Sequence, residues 1–208
     1  MEEYYEYFLE KLGPASGQRE VPLSSLNKYA DKLPEQLLKQ WREYGWSGYA
    51  EGLFWTVNPE EYQELVRAWL DDSGIPDAGF YHTIARSAFG DLYLWHEKAG
   101  NWLNLTIPYA RFHRTKPNVG KYDFDKVIEV FFVTPSREAN DLDDLFEKAL
   151  RTLGSLQPDE MYGFVPALAL GGSADLKHLQ KVKTIEHLTF LSQLAPLTDW
   201  GFPDLDTL

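Results

Sequence analysis

Cysteine is absent from this sequence of 208 residues, which excludes disulfide bonds and thiol chemistry. No apolar run approaches the roughly 20 residues that a membrane-spanning helix requires. Residues 1–7 are acidic and lack the basic and then apolar order of a secretory signal. We therefore expect a cytoplasmic protein that does not contact a membrane.

Basic side chains are scarce, because 20 Lys and Arg residues stand against 32 Asp and Glu residues, for a formal net charge of −12. A protein that binds nucleic acid directly needs a basic surface, so this charge argues against such binding. The net charge is −8 over residues 1–80, +3 over residues 81–137 and −7 over residues 138–208. Two acidic ends attract a basic protein partner, although the same charges also serve solubility alone.

Apolar and aromatic residues are plentiful, at 44% and 15% of the chain, and suffice for a sizeable core. Their spacing predicts helices first and a run of strands afterwards. The predicted helices cover residues 2–12, 34–44 and 58–70, with a flexible loop at 15–18 and a strand at 52–57. The predicted antiparallel strands cover residues 80–88, 92–96, 102–107 and 110–113.

These patterns predict an α+β fold, with helices packed on one side of an antiparallel β-meander and a smaller, mostly helical C-terminal domain after it. A break at residues 117–120 divides the chain into domains at residues 1–117 and 118–208. Residues 124–133 fit either a helix or a buried strand, and Asp123 before them favours a helix.

The C-terminal part contains an apolar segment without acids or bases, residues 161–170, which ends in a glycine turn at 171–173. Helices are predicted on both sides of this segment, over residues 141–153 and over the Leu-rich residues 176–194, where residues 184–195 give the clearest helical pattern. The segment is typical of a buried structural element and carries no chemistry of its own.

Motifs for chemistry are missing as well. The five histidines lack the spacing of a metal site, and no serine lies in a nucleophile elbow. Asp141, Asp143 and Asp144 are explained by a helix start, where acids favour the helix dipole. We therefore predict no catalytic residue, no metal and no cofactor.

Two groups of residues leave alternatives open. The aromatic residues near Gly45, Gly48 and Gly52 fit a corner of the core or a platform for a ligand. These aromatics are Trp46, Tyr49, Phe54 and Trp55. Several carboxylates lie between aromatic residues, as they do in glycosidases, and most also fit exposed helix faces. These carboxylates are Glu43, Glu51, Glu60, Glu61 and Glu64.

Two blocks of sequence resemble known domains. The first resembles the GAD-like domain and comprises residues 33–38, 41–46, 48–55, 58–62 and 85–95. The second resembles the C-terminal domain that follows it in immunity proteins, and comprises residues 159–164, 166–172 and 179–182. Proteins with this order are encoded beside DNase toxins of the bacterial type VI secretion system.

The resemblance implies an immunity protein, not an enzyme, that binds and neutralises a cognate DNase toxin by stoichiometric inhibition in the producing cell. Its contact residues do not transfer from the family. We predict them from an acidic pair at a helix C-terminus, where acids are unfavourable, beside a glycine loop. The predicted partner-binding residues are Asp71, Asp72, Asp77, Trp46 and Tyr49.

Two other functions remain open from the sequence. One is a carboxylate-dependent hydrolase that uses some of the Glu residues named above. The other is a ligand-binding regulatory module without a toxin partner.

Overall fold

The computed structural model describes residues 3–115 and 123–201, which contain both helices and strands. The helices are α1 (Glu3–Leu12), α2 (Leu23–Tyr29), α3 (Glu35–Tyr44), α4 (Pro59–Leu70), α5 (Phe124–Val133), α6 (Arg137–Asn140), α7 (Leu145–Leu153) and α8 (Thr184–Ser192). The strands are β1 (Ser16–Arg19), β2 (Trp46–Tyr49), β3 (Phe54–Thr56), β4 (Tyr81–Ser87), β5 (Leu92–His96), β6 (Trp102–Thr106), β7 (Arg111–Thr115), β8 (Glu160–Phe164), β9 (Leu179–Lys183) and β10 (Thr198–Asp199).

The main sheet has the strand order β1-β2-β3-β4-β5-β6-β7-β10. Neighbouring strands from β1 to β7 are antiparallel, and β10 joins β7 in parallel. The predicted α+β class with an antiparallel meander and a helical C-terminal part is confirmed. The meander is longer than the four predicted strands, because β1, β2 and β3 precede them.

Helices cover both faces of this sheet, and not one side alone as predicted. On one face, Tyr93 of β5 lies 5.8 Å from the ring of Phe131 in α5, and Phe8 of α1 lies 5.4 Å from Phe132. Side chains of successive strand residues point to opposite faces. The other face carries Arg86, and α4 packs there against β4 and against α8.

Sequence signals at the helix ends act as expected. The side chain of Asn58 accepts a hydrogen bond from the backbone N–H of Glu60 at 3.1 Å and begins α4. The side chain of Asp123 accepts a hydrogen bond from the backbone N–H of Lys126 at 3.1 Å and begins α5. Residues 124–133 therefore form a helix and not a strand. Gly45 ends α3 with φ of 65°, in the left-handed region that favours glycine.

Three local predictions are wrong. Residues 15–18 were predicted as a loop, yet Ser16–Arg19 pairs with β2 as an edge strand. The predicted helix at 176–194 is a 3₁₀ turn (Leu176–His178), strand β9 and the shorter helix α8. Strand β9 forms because its backbone bonds to β8, from Glu160 opposite Lys183 to Phe164 opposite Leu179.

The third error concerns residues 141–144, which precede α7 and do not belong to it. Leu142, Asp143 and Asp144 have φ values of 51°, 56° and 60°, so this segment is a left-handed turn. Asp141 still serves the helix start, because its Oδ1 accepts from the N–H of Phe146 at 2.7 Å.

The predicted domain boundary at residues 117–118, the break at 117–120 and residues 202–208 lie outside the described residues. The two parts of the chain share one core. The buried guanidinium of Arg86 donates from Nη2 to the carbonyls of Pro158 and Glu160, each at 2.9 Å. Within residues 3–115 and 123–201, none of the helices combines the length and the apolar composition that a membrane span requires.

Candidate functional site

The three predicted partner-binding acids lie in the connection from α4 to β4. Asp71 and Asp72 follow the last residue of α4, and Asp77 has a left-handed conformation, with φ of 56°, before the 3₁₀ turn Ala78–Phe80. All three are exposed. Among the described residues they form no ion pair. Their charges are therefore accessible to a partner.

The two predicted aromatic contacts lie elsewhere. Trp46 is 5% exposed and packs on Trp41, with ring centroids 5.6 Å apart. Tyr49 is 0% exposed, and its hydroxyl is 2.7 Å from that of Tyr5. A buried ring cannot contact a partner in this conformation. The prediction that Trp46 and Tyr49 bind the partner is therefore wrong, and both belong to the core. The role of the three acids stays a prediction.

The aromatic and glycine cluster is a corner of the core. Gly48 of β2 lies opposite Trp55 of β3, and a Cβ atom at Gly48 would be 2.9 Å from the indole ring. The indole N–H donates to the carbonyl of Gly52 at 2.7 Å. The guanidinium of Arg86 covers the ring at 5.0 Å. The glycines therefore provide space for Trp55, and the ring is 5% exposed, too little for a ligand platform.

A shallow groove borders the predicted acidic segment. Its volume is about 220 Å³, and it lies between the end of α4 and the segment after α8. It is lined by Ala68, Trp69, Asp72 and Ser73 from the first part of the chain and by residues 192–197 from the second. The indole N–H of Trp69 donates to the carbonyl of Leu188 at 3.1 Å and joins the two parts. Asp72 is the acid at this junction.

A second acidic surface lies between α1 and α5, and the sequence analysis missed it. Its cavity measures about 580 Å³. The lining includes Glu3, Tyr4, Glu6, Tyr7, Glu10, Lys126, Glu129 and Val133. The spacing of Glu3, Glu6 and Glu10 on α1 signals one acidic helix face. The addition of Glu129 depends on the packing of α5 beside α1, which no local pattern predicts.

The carboxylates considered for hydrolysis lie on the surface in separate contacts. The carboxylate of Glu61 accepts hydrogen bonds from Nη1 and Nη2 of Arg19, at 2.8 and 3.2 Å. Three others form ion pairs: Glu60 with Lys28, Glu64 with Arg67 and Glu51 with Arg137. The carboxylate of Glu43 accepts a hydrogen bond from the hydroxyl of Tyr44. Ion pairs and hydrogen bonds of this kind account for these residues without a catalytic role.

The two histidines of the first hairpin serve its local structure. His82 lies across from Trp95 and His96 across from Tyr81, so the two imidazoles are not cross-strand partners. Burial lowers the pKa of His82, although Glu97 Oε2, 2.7 Å from its Nε2, opposes this shift. Over the described ranges, 3–115 and 123–201, no group of three or more His, Asp or Glu residues could hold a metal ion.

Comparison with known families gives these surfaces a context. The chain belongs to the GAD-like domain family, which matches residues 3–109. Residues 126–195 match a second family, described as the C-terminal domain of the type VI secretion system (T6SS) immunity protein Tdi1. The predicted order of a GAD-like domain followed by an immunity-type C-terminal domain is thereby confirmed.

The fold also occurs in a solved structure, the crystal structure of Atu4351 from Agrobacterium tumefaciens. The two chains are 22% identical and superpose with a TM-score of 0.86, over 96% of this chain and 94% of the other. No curated protein matches the chain. At this identity, the structural likeness establishes the fold.

Proposed function

We propose that this protein neutralises a cognate type VI DNase toxin in the cytoplasm of the bacterium that makes both proteins. It acts by stoichiometric binding, without catalysis and without direct contact with nucleic acid. The observation that carries the proposal is the match of residues 126–195 to the C-terminal domain of a type VI immunity protein.

The charge distribution supports a nuclease as the partner. A DNA-cleaving enzyme needs a basic surface for its substrate, and an acidic protein is attracted to that surface. Asp71, Asp72 and Asp77 are exposed and free of ion pairs within the described part of the chain, so they meet a basic surface without losing internal contacts. We propose them as the acidic part of the interface, with the groove at Asp72 beside them.

The proposal is tested by expressing the protein together with the nuclease encoded beside its gene. We expect rescue of growth, co-purification of the two proteins, and inhibition of DNA cleavage that is complete at a fixed molar ratio. If the toxin stays inactive after the immunity protein has been removed, the immunity protein is instead an enzyme that modifies the toxin. Cell death despite abundant immunity protein would refute the proposal.

The interface is tested by charge reversal. We expect the triple variant Asp71→Lys/Asp72→Lys/Asp77→Lys to weaken toxin binding about tenfold or more, because charge pairs across an interface become repulsive. Calorimetry measures the affinity. Asp31→Lys is a matched control, since Asp31 is also exposed and lies in another loop.

A different set of affinities would place the interface on another surface and leave the proposed function unchanged. If Glu6→Lys/Glu10→Lys weakens binding and the triple variant does not, the toxin binds the surface between α1 and α5. Unchanged affinity in both variants would refute an interface based on either acidic surface. The hydrolase alternative predicts substrate turnover that Glu→Gln changes at Glu43, Glu51, Glu60, Glu61 or Glu64 abolish.

A further inference from the structure

A large cleft lies on the sheet face opposite to α4. Its volume of about 640 Å³ falls in the range of small-molecule sites. Strands β5, β6 and β7 supply its floor, the segment from the end of α5 through α6 one wall, and the residue after β10 part of its rim. Both family regions therefore contribute to it.

The floor consists of polar side chains in two rows across the strands. Asn104 pairs with His113 in the sheet register, and Thr106 pairs with Arg111. Asp91 lies just before β5 and also lines the cleft. Two strand spacings separate Asp91 from Arg111, which corresponds to about 10 Å between their backbones. The cleft thus has an acid at one end and a base at the other.

An unsatisfied hydrogen-bond acceptor lies between these ends. The Nδ2 group of Asn104 is 3.1 Å from His113 Nε2 and donates to it. Burial lowers the pKa of His113, which favours the neutral ring that can accept this bond. The Oδ1 atom of Asn104 is buried and has no partner among the described residues. A buried acceptor of this kind is costly unless a ligand or water supplies a donor.

Arg111 is held in place at the rim. Its guanidinium lies 5.6 Å from the ring centroid of Tyr109 and 4.6 Å from that of Trp200. In the described part of the chain it forms no ion pair. A guanidinium fixed between two rings retains donors that match the two oxygens of a carboxylate.

We propose that this cleft binds a small zwitterion, a free amino acid or a dipeptide, with its carboxylate on Arg111 and its amino group toward Asn104 Oδ1 and Asp91. Trp200 is 65% exposed and, with Tyr109, offers apolar contact for the ligand's side chain. The proposal goes beyond toxin neutralisation and does not depend on it.

Charge favours a carboxylate over a phosphate. Arg111 is the one Lys or Arg among the described residues that line the cleft. Phosphate sites commonly combine several cationic or N–H donors around a group that carries nearly two charges. Asp91 at the far end would repel a dianion and attract an ammonium group. A single base and a single acid match a zwitterion.

The test is a ligand screen on the full chain by saturation-transfer NMR, followed by calorimetry. The probes are the twenty L-amino acids, the corresponding glycyl dipeptides, the amino acid carboxamides and inorganic phosphate. We expect at least one amino acid or dipeptide to bind. Its carboxamide, which lacks the carboxylate, should bind at least about tenfold more weakly. Comparison of the first two sets tells a free amino acid from a dipeptide.

Variants tie the binding to the cleft. Arg111→Gln should weaken binding about tenfold or more, and Asn104→Leu should also weaken it. Arg114→Gln is the matched control, because Arg114 lies on the same strand and pairs with Leu103 in a row whose side chains point to the opposite face of the sheet. Thermal unfolding verifies that each variant is folded. Binding of phosphate alone, no binding up to about 10 mM, or equal binding by Arg111→Gln and the original chain would overturn the proposal.

Discussion

At the scale of single residues, Asp91 illustrates how burial changes a side chain that the sequence presents as ordinary. Its Oδ2 accepts a hydrogen bond from the hydroxyl of Ser87 at 2.8 Å, in the turn between β4 and β5. Burial raises the pKa of Asp91 from 3.8 to about 6, and the bond from Ser87 offsets only part of that rise. The folded protein thus binds a proton that the unfolded chain releases between these two pH values.

This difference sets the sign of a pH effect. Because the pKa is higher in the folded chain, the contribution of Asp91 to stability is largest at low pH and is lost as the pH rises through about 6. We expect Asp91→Asn, which keeps the shape, to be about 1–2 kcal/mol more stable than the original chain at pH 7.5. This advantage should vanish near pH 4. Urea unfolding at both pH values measures it.

Asp159 serves as a control, because its pKa is shifted in the opposite direction. The ammonium of Lys183, 2.6 Å away, lowers the pKa of Asp159, so its contribution to stability is lost at low pH. Asp159→Asn should therefore reduce stability at pH 7.5 and have less effect near pH 3. An equal gain from Asp91→Asn at both pH values would show that Asp91 is not the titrating group.

At the scale of elements, the packing of β2 against β3 depends on a residue without a side chain. A Cβ atom at Gly48 would lie 2.9 to 3.1 Å from three atoms of the Trp55 ring, which is held by Arg86 and by Gly52. We expect Gly48→Ala to lower the free energy of unfolding by about 1–3 kcal/mol, because overpacking strains the corner. Chemical denaturation measures the change.

Gly79 is the matched control for this substitution. It lies in the 3₁₀ turn Ala78–Phe80, and a Cβ atom there would meet nothing within 4 Å. Gly79→Ala should leave stability nearly unchanged or raise it slightly. Equal losses from both substitutions would mean that the loss at Gly48 arises from chain flexibility and not from contact with Trp55.

The same corner shows what a sequence can predict about elements. Strand β3 was predicted because Phe54, Trp55 and Thr56 favour strands. Strands β1 and β2 were not, since their glycine and serine residues lack the alternation of apolar and polar side chains. Their glycines, Gly17 and Gly48, lie beside the ring of Trp55, and this fit becomes visible only when the strands are paired.

The candidate site follows the same division. The place of Asp71 and Asp72 at a helix end could be predicted, and their role in binding stays a prediction. The burial of Trp46 and Tyr49 could not, because both core and interface use aromatic residues. The cleft could not be predicted either, since its floor joins three strands and its wall comes from residues 134–142.

At the scale of the whole molecule, the two family regions behave as one packed unit. Phe131 of α5 is 0% exposed and lies 5.8 Å from Tyr93 and 5.6 Å from Trp102 in the sheet. We expect Phe131→Ala to destabilise the protein by about 3–5 kcal/mol. Both regions should unfold in one transition, and hydrogen exchange should speed up together in β5 and α7.

Val130 on the same helix is the control, because its side chain is 39% exposed. Val130→Ala should change stability by less than about 1 kcal/mol. Two separate transitions in calorimetry, with only the C-terminal one shifted by Phe131→Ala, would show that the regions unfold independently.

Strand β10 has a consequence for the order of assembly during synthesis. Thr198 donates its N–H to the carbonyl of Ala110 at 3.0 Å, and Trp200 donates to Phe112 at 2.8 Å. Strand β7 is synthesised more than eighty residues before β10. In the nascent chain, the edge of β7 therefore lacks these hydrogen-bond partners until β10 has been made. The rim of the cleft at Trp200 is therefore completed only after residues 198–200 have been added to the chain.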